Sequence, residues 1–157
     1  MTAPTVLITG AAGHLGRAVA TAFTAQGARL ALIDRNPQAL QQAFGADNDH
    51  QLSLAADLLD TSSTGQAVQA AVARFGRVDV LCHLAGGFAM GEPVHATSEQ
   101  TLERMLDLNV RTLMRITAQV VPHMLAAGRG HIVTVGAFGA QRGGAHMGAY
   151  AASKAAL

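Results

Sequence analysis

Five short apolar runs alternate along the chain with segments of helical period, and this alternation restricts the fold more than any other feature. TVLITG (5–10) is rich in β-branched residues and ends in glycine, as a buried strand does. From His14 to Gln26 the apolar residues Leu15, Ala18, Val19, Ala22 and Phe23 recur at helical spacing, and Gly27 provides the stop. ARLALIDR is a second strand, ending at Asp34, and NPQALQQAF follows with Asn36 as N-cap and Pro37 at the first helical position. LSLAADL is a third strand candidate, and Ser62 to Phe75 a helix closed by Gly76. VDVLCHLAGG gives the fourth strand. Ser98 then caps one long helix running to about Ala127, with Glu99 and Glu103 near its positive end and Gly128 and Gly130 beyond it. HIVTVGA is the fifth strand, and a last helix begins around Gly148.

Strands separated by helices pair in parallel through right-handed crossovers. The expected fold is a doubly wound parallel α/β sheet in a three-layer αβα arrangement. Composition agrees: half of the 157 residues are hydrophobic and 13% are charged, as suits one domain with a sheet buried on both faces. A net charge of +1 without a basic stripe argues against nucleic acid as a partner. No apolar run is long enough to span a membrane, and MTAPTVLITG lacks the basic and apolar regions of a signal peptide. The single cysteine, Cys82, reads as a buried strand residue, and the expected location is cytoplasmic. No histidine pair has metal-ligand spacing, so no metal is expected.

The first strand leads into TGAAGHLG, a G-x-x-G-x-x-G loop. Gly10 permits a tight turn, Gly13 lets a diphosphate approach the backbone, and Gly16 lets the helix pack against the sheet. The helix N-terminus then offers free N–H groups to the anion. Asp34, at the end of the second strand, can accept both hydroxyls of an adenosine ribose and would repel a 2′-phosphate. That favours NAD, while Arg35 beside it leaves NADP open. Near the C-terminus, Tyr150 and Lys154 stand four apart on a predicted helix, so they share a face. A free tyrosine titrates near 10, and a neighbouring cation lowers that value toward proton exchange at neutral pH.

The glycine loop, Asp34, Asp57, HLAGG, Asn109 and YAASK occur in the order and context of the short-chain dehydrogenase/reductase family, which the chain resembles over essentially its whole length. The resemblance implies a Rossmann-like, NAD(P)-dependent oxidoreductase acting on a small alcohol or carbonyl. It implies cofactor contacts from Gly10, Gly13, His14, Leu15, Gly16, Asp34, Arg35, Asp57 (at the adenine), Leu58, Ala85, Gly86, Tyr150 and Lys154. Tyr150 would be the general acid/base. Lys154 would hold the nicotinamide ribose, and Asn109 a proton-relay water. His83 and Leu84 stand where the family has two asparagines. The resemblance also implies a homodimer or homotetramer of the full-length protein. Members continue past the lysine, so residues 1–157 would be the cofactor part of a single domain whose C-terminal part is missing, with HIVTVGA as an apolar edge strand.

Ala137 occupies the position of a serine that most members use to bond the substrate carbonyl. Removing one such donor commonly costs about 2.7–4 kcal/mol of barrier. The run of CHLAGGF, VGAFGA and HMGAYAASK is similar to the dihydropteridine reductase branch, which also lacks the serine. There hydride enters a conjugated C=N system and the proton goes to nitrogen. NADH-dependent reduction of a quinonoid dihydropterin is therefore one alternative. The other is a dinucleotide-binding fragment without turnover. Gln141, Arg142 and His146 are the polar groups available near Ala137.

Overall fold

A computed structural model describes residues 3–157, so the first two residues of the N-terminal stretch lie outside it. Five parallel strands form one sheet: β1 (Thr5–Thr9), β2 (Arg29–Asp34), β3 (Gln51–Ala55), β4 (Val80–His83) and β5 (His131–Thr134). Their order is β3-β2-β1-β4-β5, so the chain moves outward from β1 first to one side and then to the other. The reversal lies between β1 and β4, and in such sheets ligands bind beyond the carboxyl ends of the strands at that point.

The period-2 pattern decides the two faces. Leu7, Ala31, Ile33 and Leu81 point into one core with Val68, Ala71, Phe75, Ile116, Val120 and Met124. Val6, Ile8, Leu30, Leu32 and Cys82 point into the other with Ala20 and Leu40. Helices α1 (His14–Thr24) and α2 (Pro37–Phe44) cover the second face. Helix α3 (Thr61–Phe75) and the helix before β5 cover the first. Leu7 has no exposed surface, and truncating such a side chain to alanine costs about 2–5 kcal/mol.

Most helix ends follow local chemistry. Asn36 Oδ1 accepts the Ala39 N–H at 3.1 Å, with Pro37 in the first turn. Gly76 ends α3 in a left-handed conformation at φ 81°. The α3 start differs by one residue from the expected Ser62. Asp60 caps it, its carboxylate accepting the N–H groups of Ser62 and Ser63.

The expected long helix from Ser98 to Ala127 is not continuous. Ser98 caps α4 (Glu99–Leu106), Asp107–Arg111 forms a π turn, and α5 (Thr112–Ala126) resumes the α-helical pitch. Within the π turn the Thr112 N–H reaches back to the Asp107 carbonyl. Such one-turn widenings re-aim side chains and recur at functional sites. The residue re-aimed here is Asn109, which is almost wholly buried. Helix α6 (Gly148–Ala156) packs against α4 and the π turn.

Among the described residues, strand β5 pairs with β4 alone, and it is exposed at every residue. Ile132 and Val133, on opposite faces, keep 43% and 48% of their surface open, which matches the apolar edge expected there. Met105 is fully buried, whereas Met114 projects outward.

Candidate active site

The ends of β1, β2, β3 and β4 open onto one groove of about 770 Å³. Gly10, Gly13, Asp34, Arg35, Asp57, Leu58, Ala85 and Gly86 all line it. The structure thus brings together eight residues that lie apart in sequence. Gly16 is buried beneath the loop, while His14 and Leu15 are exposed at the start of α1.

The glycines leave no room for side chains. Gly10 has φ 64°, and a Cβ there would lie 2.9 Å from the Ala85 nitrogen. At Gly16 a Cβ would lie 2.3 Å from the Gly10 carbonyl oxygen. The loop therefore packs on β4 and on its own helix, and no side chain caps α1 at Gly13. The helix keeps its first-turn N–H groups and positive dipole end for an anion. Asp34 is anchored from both sides: Oδ2 accepts the Ala12 N–H and Oδ1 the Asn36 N–H, each at 3.2 Å. The carboxylate is fixed at the groove wall, with further lone pairs for two hydroxyls. Arg35 is exposed beside it. Asp57 Oδ1 accepts the Leu59 N–H, shaping the turn after β3. Leu58 is buried and closes the apolar floor. An extended ligand with an anionic centre and a diol at one end fits this cradle.

Tyr150 and Lys154 stand on α6 and do not line the groove itself, although Lys154 Nζ lies close to Gly86 at its wall. The Asn109 amide ties α6, through Ser153, to the backbone at Gly87. Its Oδ1 accepts the Gly87 N–H at 2.9 Å, and Nδ2 donates to the Gly87 carbonyl at 3.1 Å and to Ser153 Oγ at 2.9 Å. Both amide hydrogens are thus committed to the protein, so this side chain acts as a brace between the strand end and α6. Ser153 Oγ in turn donates to the Tyr150 carbonyl. A Cβ on Gly86 would lie 2.7 Å from Asn109 Oδ1 and 3.6 Å from Lys154 Nζ, so glycine is required where these groups converge.

Lys154 Nζ donates to the Val135 carbonyl at 2.9 Å, which fixes the ammonium next to the strand that precedes Ala137. Burial holds its pKa below the usual lysine value. The Tyr150 ring meets Phe88 edge to face, with centroids 4.8 Å apart, and this contact orients the phenol. Ala137 is half-buried, and Gln141, Arg142 and His146 are exposed. Among the described residues no cluster of His, Cys, Asp and Glu has the makings of a metal site. No helix among them is long and apolar enough to cross a membrane.

The site also contains residues that the sequence reading passed over. Phe88 follows the glycine pair, and Ser153 lies inside YAASK. Thr9 and Thr112 flank the buried His83, with Thr9 Oγ1 2.9 Å from Nδ1 and Thr112 Oγ1 3.3 Å from Nε2. Thr9 closes an apolar strand run, but nothing in sequence spacing singles out Thr9, Phe88, Thr112 or Ser153.

A family model for short chain dehydrogenases matches residues 4–157. The chain belongs to this family. It is 34% identical over 151 residues to a 2-dehydro-3-deoxy-L-rhamnonate dehydrogenase (NAD(+)) of Sphingomonas sp. (strain SKA58), covering 96% of this chain and 60% of that protein. A short-chain dehydrogenase from Streptomyces avermitilis superposes with a TM-score of 0.91 at 34% identity, over 99% of this chain and 57% of that one. A 3-ketoacyl-(acyl-carrier-protein) reductase from Brucella melitensis, solved with NADH, superposes with a TM-score of 0.89 at 29% identity, over 97% and 64% respectively. The short chain dehydrogenase described here spans about 60% of the length of the curated relatives it matches.

Proposed function

We propose that this chain forms the nicotinamide-binding and proton-transfer part of an NAD(H)-dependent oxidoreductase acting on a small alcohol or carbonyl. One observation carries the proposal: Gly86, Asn109 and Lys154 converge at the end of the groove nearest the Tyr150 helix. Proton-transfer residues thereby adjoin a cradle shaped for a diphosphate and a ribose.

The residues fit the cofactor. The α1 N-terminus and the loop backbone at Gly10 and Gly13 would hold its diphosphate, Asp34 its adenosine ribose, and Asp57 and Leu58 the adenine side. When bound, the nicotinamide supplies or accepts a hydride. Tyr150 supplies or accepts the matching proton at its phenolic oxygen. Lys154, one turn beyond Tyr150 on α6 and held on the Val135 carbonyl, would hold the nicotinamide ribose beside Gly86. Asn109 and Ser153 keep α6 in register with Gly87. Asp34 opposes a 2′-phosphate, so NADH is preferred over NADPH. At Ala137 the substrate oxygen meets a methyl group instead of a hydroxyl, so Tyr150 carries more of the developing charge.

Fluorescence titration of the protein with NADH and NADPH tests the cradle. Absorbance at the reduced nicotinamide band, with a carbonyl panel and a quinonoid pterin, tests turnover. Tyr150→Phe is expected to abolish turnover and leave NADH affinity nearly unchanged; turnover that survives this change removes the acid/base assignment. Tighter binding of NADPH than NADH overturns the role given to Asp34.

A further inference from the structure

His83 ends β4, is buried, and belongs to neither the groove nor the proton-transfer group. Its two ring nitrogens face two threonine hydroxyls, and the hydrogen-bond directions can be worked out from both ends. Thr112 Oγ1 lies 2.8 Å from the Leu108 carbonyl, which can only accept. The Thr112 hydrogen therefore goes to Leu108, and toward His83 Nε2 this oxygen can only accept. At the other end, Thr9 Oγ1 accepts the N–H groups of Leu84 and Ala85, both at 3.2 Å. With its acceptor sites taken, Thr9 has only its hydrogen to offer His83 Nδ1. Both ends require the same tautomer: hydrogen on Nε2, none on Nδ1.

We infer that His83 is a positioning residue which, as the Nε2–H imidazole, locks the Leu84–Ala85 edge of the cofactor groove to the π turn that carries Asn109. The chain of donors runs from the Leu84 and Ala85 amides through Thr9, His83 and Thr112 to the Leu108 carbonyl. It fixes the backbone at Ala85 beside Gly10 and the helical pitch at residue 108 beside Asn109. An imidazolium would point a hydrogen from Nδ1 at the Thr9 hydroxyl, which has no lone pair left to receive it. Burial first, and the Lys154 charge second, push the His83 pKa down to about 4, in the same direction. The inference rests on the cofactor reading for its functional consequence but not for the tautomer.

The test has two arms. In the first, long-range proton–nitrogen correlation spectra of histidine-labelled protein at neutral pH are expected to place the His83 proton on Nε2 alone. A proton on Nδ1 overturns the inference. In the second, NADH affinity is compared across variants. His83→Asn keeps an acceptor for Thr9 and a donor for Thr112, and is expected to bind NADH within about twofold of wild type. His83→Phe fills the space without either bond and is expected to bind about fivefold or more weakly. Equal affinity of the two variants overturns the inference. If His83→Phe does not fold, Thr112→Val keeps the shape and removes the Nε2 acceptor; an affinity equal to wild type then has the same force. Wild-type protein that fails to bind NADH refutes the cofactor reading separately, and the imidazole spectrum still decides the bond directions.

Discussion

Acidification should expose the buried imidazole of His83 as a defined loss of stability. In the unfolded chain the ring takes up a proton near 6.5, whereas in the fold it does so only at about 4. Between these values the unfolded state binds the extra proton and the folded state does not. The contribution is therefore fully present above pH 6.5 and is lost as pH falls from 6.5 through about 4. Each pH unit corresponds to about 1.4 kcal/mol, so the full window amounts to roughly 3 kcal/mol, and pH 5 to about 2 kcal/mol. Denaturant unfolding at pH 7 and pH 5, on wild type and His83→Asn, isolates this contribution. The variant retains the other six of the seven histidines, so subtraction removes them. Asp79 does not interfere, because its carboxyl titrates below 3.8. Wild type is expected to lose about 2 kcal/mol more than the variant over this interval. Equal losses would refute the buried, neutral state of the ring.

Asp79, buried at the start of β4, accepts the Thr5 N–H at 2.8 Å and pairs with Arg77 and Arg129. Burial opposes its charge, but the Thr5 bond and the two guanidinium groups outweigh burial and hold its pKa below 3.8. Its contribution is present above pH 3.8 and is lost as pH falls through the lowered value; Asp79→Ala should cost about 2 kcal/mol or more in denaturant unfolding, by leaving the Thr5 N–H unpaired. Gly16→Ala places a methyl carbon 2.3 Å from one backbone oxygen and 2.5 Å from another. It should destabilise by about 1–3 kcal/mol and weaken NADH binding, read by melting and titration together. Asp34→Ala removes the carboxylate that opposes a 2′-phosphate and should narrow the NADH-over-NADPH preference by about tenfold in dissociation constants; an unchanged ratio would assign the preference elsewhere.

The strands and most helix ends were legible because local chemistry decides them. TVLITG is apolar on both faces because both faces are covered, and Gly76 and Asn36 mark helix ends by conformations and bonds that few other residues supply. The groove was legible for a related reason, since β-strand ends and glycine turns in this topology meet at one edge of the sheet. The π turn was not legible. DLNVR carries no local mark of a wider turn, and the bonds from Asn109 to Gly87 and Ser153 that accompany it join residues distant in sequence. His83 was read as a departure from a pattern, because its partners depend on register: Thr9 faces it across β1 and β4, and Thr112 approaches from a helix. Asp79 lay hidden within an apolar run, where a lone charge gave no sign of its two arginines.

The strand order also sets a timetable for synthesis. Strand β1 takes β2 on one side, with Thr5 against Arg29, soon after both leave the ribosome. Its other side must wait for β4, since Thr9 and His83 are 74 positions apart. At ~5–20 residues per second, that interval is roughly 4–15 s, during which one edge of a strand buried at every residue in the finished fold is open. Contacts this distant in sequence also slow refolding from denaturant. The nascent chain therefore presents an unpaired apolar edge for seconds, a natural target for chaperones that bind extended hydrophobic segments. Mutations that delay β4, such as those at Asp79, would lengthen that window before they altered the finished protein.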